Sequence, residues 1–228
     1  PAVSKALNGE RWVRVNGENY AVFEAFTGTK PNYRIPDELR AIMRGMASFH
    51  KASRGFAPPP GSHPPSRFPE PWEQVRRWQR ERLSAWVEDA AKRRNPDEFD
   101  KLLAMHGCAL LAQCDESLGE HAAVRFERWT AETLRTNTLC HLDFAATNLL
   151  LSEAGRLQVI DMDTVAVEVP SVDLRKITNK VMRKFRTWDA EVQLRMLQTY
   201  QSVHPLSFSQ LRAVAADVLF PHIAYEHI

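Results

Sequence analysis

Hydrophobic positions change period several times along the chain. Between residues 10 and 26, the runs "RWVRV" and "NYAVFEAF" are rich in Val and aromatic side chains. They are divided by "NGE", a strong turn signal, which predicts a β-hairpin. Asn8-Gly9 predicts a further turn just ahead of it. After "TGTKP" ends the second strand, "PDELRAIMRGMASFHKAS" opens with Pro36 and Asp37. It then sets Leu39, Ile42, Met43, Met46 and Phe49 at helical intervals, so an amphipathic helix is expected.

From Phe56 to Pro71 the pattern is lost: seven prolines and one glycine exclude regular structure and predict an extended, exposed connection. Helical period returns over residues 72–94 with Trp72, Val75, Leu83, Trp86, Val87 and Ala90. Arg76, Arg77, Arg80, Arg82 and Arg93 occupy the remaining positions, which reads as a basic solvated face over a Trp-anchored core. Asn95-Pro96-Asp97 breaks that helix and caps the next, expected over 97–117 with Phe99, Leu102, Leu103, His106, Ala109, Leu110 and Gln113 along one side. "VDLRKITNKVMRKF", "DAEVQLRMLQTYQSV" and "SFSQLRAVAADVLF" also carry helical period, the last with Ser207 and Gln210 spaced as a capping box. Met and Phe positions of the helices read as core.

One region between these helices concentrates polar chemistry. "NLLLS" and "LQVIDMD" are short apolar runs joined by "EAGR" and predict a second hairpin, with His141, Asp143, Asn148, Asp161 and Asp163 falling within twenty-three positions around it. The spacing H-x-D-x-x-x-x-N, followed by a strand ending in Asp, brings three oxygen-bearing side chains toward one end of that hairpin. Phosphoryl transfer needs this set: a carboxylate to orient and deprotonate the attacking hydroxyl, and an amide with a carboxylate to hold Mg²⁺ on nucleotide phosphates. Asp143, Asn148 and Asp161 fill those roles in order. Asp163 is either a second metal contact or a strand-end hydrogen-bonding group.

At 228 residues the chain can bury a sizeable core, and no apolar run approaches the roughly 20 residues that a membrane-spanning helix requires. Its formal charge of +2 gives no bulk electrostatic argument for a nucleic-acid partner. Cys108, Cys114 and Cys140 suit neither a disulfide framework nor a zinc site, so free thiols in a reducing, cytoplasmic compartment are expected. The start has no initiator Met and no signal-peptide pattern, and "FPHIAYEHI" lacks a terminating Gly or polar tail. The chain is therefore expected to be cut from a longer protein.

The H-x-D-x-x-x-x-N and I-D-x-D pattern resembles the aminoglycoside phosphotransferase and choline kinase-like family, which shares the protein-kinase fold. "HLDFAATNLLL", "VIDMDTVAVEVPSVDLRK", "TYQSVHPLS" and "FPH" look most like its CotS-type spore coat proteins. The resemblance implies an α+β, protein-kinase-like fold: residues 1–28 as the β-hairpin and hinge ending a truncated N-lobe, and 29–228 as a mainly helical C-lobe. The short catalytic and metal-binding hairpin spans 139–164. It implies Asp143 as catalytic base, His141 as a brace of the catalytic loop, and Asn148 and Asp161 as Mg²⁺ ligands. Backbone at Glu24 and Phe26 would hold the adenine of ATP, and Asp173 would be a buried helix-capping aspartate. The implied reaction moves the ATP γ-phosphoryl group to a hydroxyl of a small molecule; the alternative is an inactive kinase-fold component of the spore coat, beside other coat proteins. Leu142 stands where many relatives carry Gly. No Gly-rich loop, strand Lys or partner Glu precedes the hairpin, so this chain alone is expected to lack the half that grips ATP, and with it activity.

Other features have plainer readings. His50, His63, His106, His121, His204, His222 and His227 show no paired metal spacing and read as structural or surface residues. Cys140 and His141 are neighbours on an extended segment and point to opposite sides, which argues against a Cys-His nucleophile.

Overall fold

The computed structural model describes residues 2–61, 66 and 72–226. Strands β1 (Val13–Val15) and β2 (Glu18–Tyr20) pair antiparallel about Asn16-Gly17, both at positive φ (52° and 88°). That turn matches the twist of paired strands, which is why Asn-Gly favours it. The Asn8-Gly9 turn also forms, with Gly9 donating its N–H to the Ala6 carbonyl. Residues 62–65 and 67–71 of the proline-rich connection, with His63, lie outside the described residues, as does His227.

Helix α1 (Pro36–Ser53) has the predicted limits and buries Leu39, Ile42, Met43, Met46 and His50. It packs into one core with α4 (Phe126–Thr136), α5 (Pro170–Phe185), α6 (Ala190–Gln201) and α7 (Phe208–Leu219). The Ser207–Gln210 capping box is present. Helices α2 (Trp72–Lys92) and α3 (Glu98–Ala123) share a second core of Leu83, Val87, Ala90, Leu103, Cys114 and Phe220. Asp97 caps α3 in a box with Asp100, as the Asn-Pro-Asp break predicts. A short helix, α8 (His222–Glu226), follows α7.

The structure corrects four readings in this region. Helix α3 runs to Ala123 rather than 117, and its buried line is Asp100, Leu103, Gly107, Cys114, Ser117 and His121, while Phe99, Leu102 and His106 face solvent. Small residues win there because α2 comes close: a Cβ on Gly107 would sit 2.4 Å from a Val87 methyl. Met105 and Phe208, read as core, are exposed at 72% and 78%. Helix α4 carries no Gly or Pro punctuation and was not anticipated; Arg125 and Asn137, both at positive φ, mark its ends.

The fourth correction is Arg76, which is buried and not on a solvated face. Its guanidinium lies over the Trp72 ring (4.1 Å) and donates to Asp217 Oδ1 (3.2 Å) and to His222 Nδ1 (3.0 Å). Asp217 also accepts from His222 Nε2 (3.0 Å) and Ser171 Oγ (3.0 Å), and Arg175 Nε is 3.4 Å away as an ion-pair partner. Burial alone would raise the Asp217 value, but Arg175, His222 and Arg76 hold it well below the usual carboxylate range. Arg77 and Arg80 do lie on the solvated face and pair there with Glu73 and Asp115, while exposed Arg93 reaches the buried Asp100.

Buried Glu168 borders this knot. Desolvation pushes its carboxyl from the ordinary 4.5 up to about 7, against a hydrogen bond from Val169 N–H. A carboxyl raised on folding binds its proton more tightly in the folded state. The stability it contributes is therefore complete below about pH 4.5 and is lost as pH rises through about 7. Glu168→Gln is expected to flatten urea-unfolding stability between these values and to gain up to about 3 kcal/mol above them, at roughly 1.4 kcal/mol per pH unit. An unchanged pH profile would refute the assignment.

Candidate active site

Four short strands carry the site. β3 (Leu139–Cys140) pairs antiparallel with β6 (Ala166–Val167), and β4 (Leu149–Leu151) with β5 (Leu157–Val159). The anticipated single hairpin over 139–164 is thus two nested ladders, with the loop 141–148 leaving one and entering the other. Residues ahead of α1 reach this framework through Thr29, which exchanges backbone hydrogen bonds with Leu151 (3.0 and 2.8 Å). Gly28 beside it has no room for a side chain, because a Cβ would lie 2.8 Å from the Leu151 carbonyl oxygen.

The loop is fixed mainly from α5. Buried Asp173 accepts the N–H of His141 at Oδ2 (2.8 Å) and of Leu142 at Oδ1 (2.8 Å), and His50 Nε2 donates to Oδ2 (3.0 Å). It does not cap its own helix, whose N-cap is Val169; the expected buried aspartate is present, but it binds the backbone of the 141–148 loop instead. Burial raises its value, and the bonds from His50, His141 and Leu142 outweigh that to leave it lowered. Leu142 sits at φ 65°, a conformation that glycine adopts without penalty and that costs a leucine roughly 1–2 kcal/mol. Asp173 at its N–H, Lys176 Nζ at its carbonyl (2.7 Å) and burial of its side chain beside Cys140, Ala166 and Val172 offset that strain.

His141 links two parts of this region. It is fully buried; its Nδ1 accepts the Asp143 N–H (3.3 Å), and its Nε2 bonds the Ile160 carbonyl (3.2 Å). Ile160 in turn donates its N–H to the Asn148 carbonyl (3.0 Å). His141 and Asn148 are therefore tied together through one residue, Ile160, which immediately precedes Asp161. Asp161 follows at φ 62°, beyond the end of β5, with an exposed carboxylate. Asp163 is exposed as well.

Asn148 Nδ2 donates to the Asp143 carbonyl (3.1 Å) and to Asp143 Oδ2 (2.8 Å). Spending the amide nitrogen this way turns the remaining Asn148 oxygen toward another use. With Asp161 it supplies hard oxygen donors of the kind Mg²⁺ takes, so these residues fit the ion. The other oxygen of Asp143 accepts Lys180 Nζ at 2.5 Å. Lys180 first, with Asn148 adding to it, holds the Asp143 carboxyl below its usual range. Neither Lys180, nor Lys176, nor Tyr33, whose hydroxyl accepts the Ala146 N–H (2.9 Å), was picked out from sequence. Each reaches the loop from more than thirty residues away.

Among the described residues, His50, Cys140 and Asp173 also cluster at metal-like spacing, but all three are buried and already bonded internally. Cys140 Sγ donates to the Glu168 carbonyl, and desolvation pushes its thiol well up, in line with a core residue and not a nucleophile. All three cysteines are free thiols. Glu24 donates its N–H to Ala2 (2.9 Å), and Phe26 is half-buried; neither is in the loop assembly. Among the described residues no helix is long and apolar enough to cross a membrane.

A model of the phosphotransferase enzyme family matches residues 1–207. The chain belongs to that family. This phosphotransferase-family chain is 28% identical over 222 residues to "Spore coat protein S" of Bacillus subtilis (strain 168), covering 97% of its own length and 62% of the relative. The crystal structure of an aminoglycoside phosphotransferase from Alicyclobacillus acidocaldarius subsp. acidocaldarius DSM 446 superposes with a TM-score of 0.86 at 20% identity. That match covers 98% of the chain and 65% of the other, and it establishes the α+β, kinase-like fold. The chain thus spans less than two thirds of either protein.

Asp173 is depressed on folding, so its contribution is present above its ordinary value of 3.8 and is lost as pH falls through the lower folded value. Asp173→Asn is expected to cost about 3–5 kcal/mol at neutral pH, the usual consequence of removing one partner of a buried pair. It should also make stability less steep in acid, as read by urea unfolding from pH 2 upward. An equally steep acid limb in the variant would contradict this account of the carboxylate.

Proposed function

We propose that the chain is the catalytic portion of an ATP-dependent phosphotransferase acting on a hydroxyl of a small molecule. The observation that carries this reading is the Asp143 carboxylate, held at one oxygen by Lys180 and at the other by Asn148, and 44% exposed. A carboxylate retains lone pairs beyond those two bonds, so an acceptor hydroxyl can approach from the open side. The hydroxyl oxygen bonds to the γ-phosphorus as the β–γ bridging bond breaks. The electron pair leaves with ADP, and the hydroxyl proton passes to Asp143 and then to solvent. Asn148 and Asp161 would hold Mg²⁺, which neutralises phosphate charge when bound. His141 and Asp173 act by keeping the loop in register.

On the same reading, residues 1–28 close a nucleotide-binding lobe, with the Glu24 and Phe26 backbone meeting adenine, and residues 29–228 form the C-lobe. The exposed β1–β2 ladder and the 62% coverage of the relative support a nucleotide-gripping part elsewhere in the full-length protein. The relative's name favours a second reading, a kinase-fold component of the spore coat with no turnover.

ADP release by the full-length protein, measured with Mg²⁺ and a panel of hydroxyl acceptors, separates the two. Asp143→Asn is expected to lower kcat by about 10²–10⁴ and to leave the KM for ATP nearly unchanged. Equal turnover by the variant would overturn the role of Asp143, and an inactive unmodified protein would favour the coat reading.

A further inference from the structure

One face of α5 grips three consecutive residues of the loop. Asp173, Lys176 and Lys180, at i, i+3 and i+7, share a side of the helix. They bond in turn the His141 and Leu142 N–H groups, the Leu142 carbonyl and the Asp143 carboxylate. The first two contacts are made to backbone and hold the shape of the loop. The third is made to the candidate reacting carboxylate itself, from a side chain that is 35% exposed.

We propose that Lys180 is the positive charge on the acceptor side of the transfer, a role that rests on the phosphotransferase reading above. An ammonium has three N–H donors in a compact head, and the bond to Asp143 Oδ1 occupies one. The acceptor hydroxyl must bond to the same carboxylate, so the phosphoryl group it attacks arrives within reach of Lys180 Nζ. In a loose transition state, negative charge is spread over the equatorial phosphoryl oxygens, and a fixed cation beside them is stabilising there more than in the ground state. The Mg²⁺ ligands Asn148 and Asp161 serve the nucleotide side, and Lys180 complements them from the other. Its anchoring on Asp143 also fixes the carboxylate plane, so one residue positions the base and meets the developing charge.

Full-length Lys180→Met, Lys180→Arg and unmodified protein, compared in the ADP-release assay with thermal unfolding alongside, test this. Lys180→Met is expected to lower kcat by about 10²-fold, comparable to removal of one preorganised donor, with the KM for ATP nearly unchanged and an unfolding midpoint close to the parent. Lys180→Arg should recover a substantial part of the lost kcat, because charge and reach are kept. If the unmodified protein turns over ATP and Lys180→Met does so equally fast, the role of Lys180 is refuted and the phosphotransferase reading stands. The same holds if arginine rescues nothing. If the unmodified protein turns over no ATP with any hydroxyl acceptor, both fall together.

Discussion

The site depends on a single buried carboxylate. Asp173 has no exposed side-chain surface, and a charge so placed is costly unless its lone pairs are filled by good donors. Here they are: two successive backbone N–H groups and the His50 ring, with the other ring nitrogen of His50 bonded to the Tyr200 hydroxyl at 2.8 Å. Because those partners come from α1, α6 and the loop while Asp173 comes from α5, the loop can adopt its shape only when those three helices have docked. Local backbone preference would not choose that shape, since Leu142 sits at positive φ. Tertiary hydrogen bonds impose it, and the orientation of His141 toward Ile160 follows.

Much of this was legible in the sequence wherever adjacent residues decide the outcome. Asn16-Gly17 specifies its turn, Pro36 and Asp37 open α1, Asp97 caps α3 and Ser207 with Gln210 caps α7, all by contacts a few residues apart. The H-x-D-x-x-x-x-N spacing likewise marks loop residues that the fold does bring together. Illegible features were those set by distant partners. The buried line of α3 contains Gly107, Ser117 and Asp100 because α2 and α7 demand small or paired groups there, so a search for apolar type along one face picks the wrong side. Helix α4 had a readable signal in Phe126, Trp129 and Thr133 at i, i+3 and i+7, but no Gly or Pro to bound it.

Arg76 shows the same limit in electrostatic form. Within its own helix it is one of many arginines, and composition alone assigns it to solvent. Its partners Asp217 and His222 lie more than 140 residues away, and only with them present is a buried guanidinium tolerable. Burial brings its value down to about 10, against the pull of Asp217, so it remains charged at neutral pH. Burial lowers His222 as well, to about 4 despite Asp217, with the opposite result for its charge. It is neutral there, able to accept from Arg76 at one nitrogen while donating to Asp217 at the other.

Helix α5 joins these two polar centres. Ser171 and Arg175, one turn apart, reach Asp217 on α7, whereas Asp173, Lys176 and Lys180 reach the 141–148 loop on another side of the same helix. Since Asp217 also holds Arg76 and His222, helix α2 and the start of α8 are registered to the loop through α5. The helix thus presents charged groups to both sides in addition to its apolar contacts, with Leu174, Ile177 and Val181 in the core shared with α7 and Val172 packed beside Leu142.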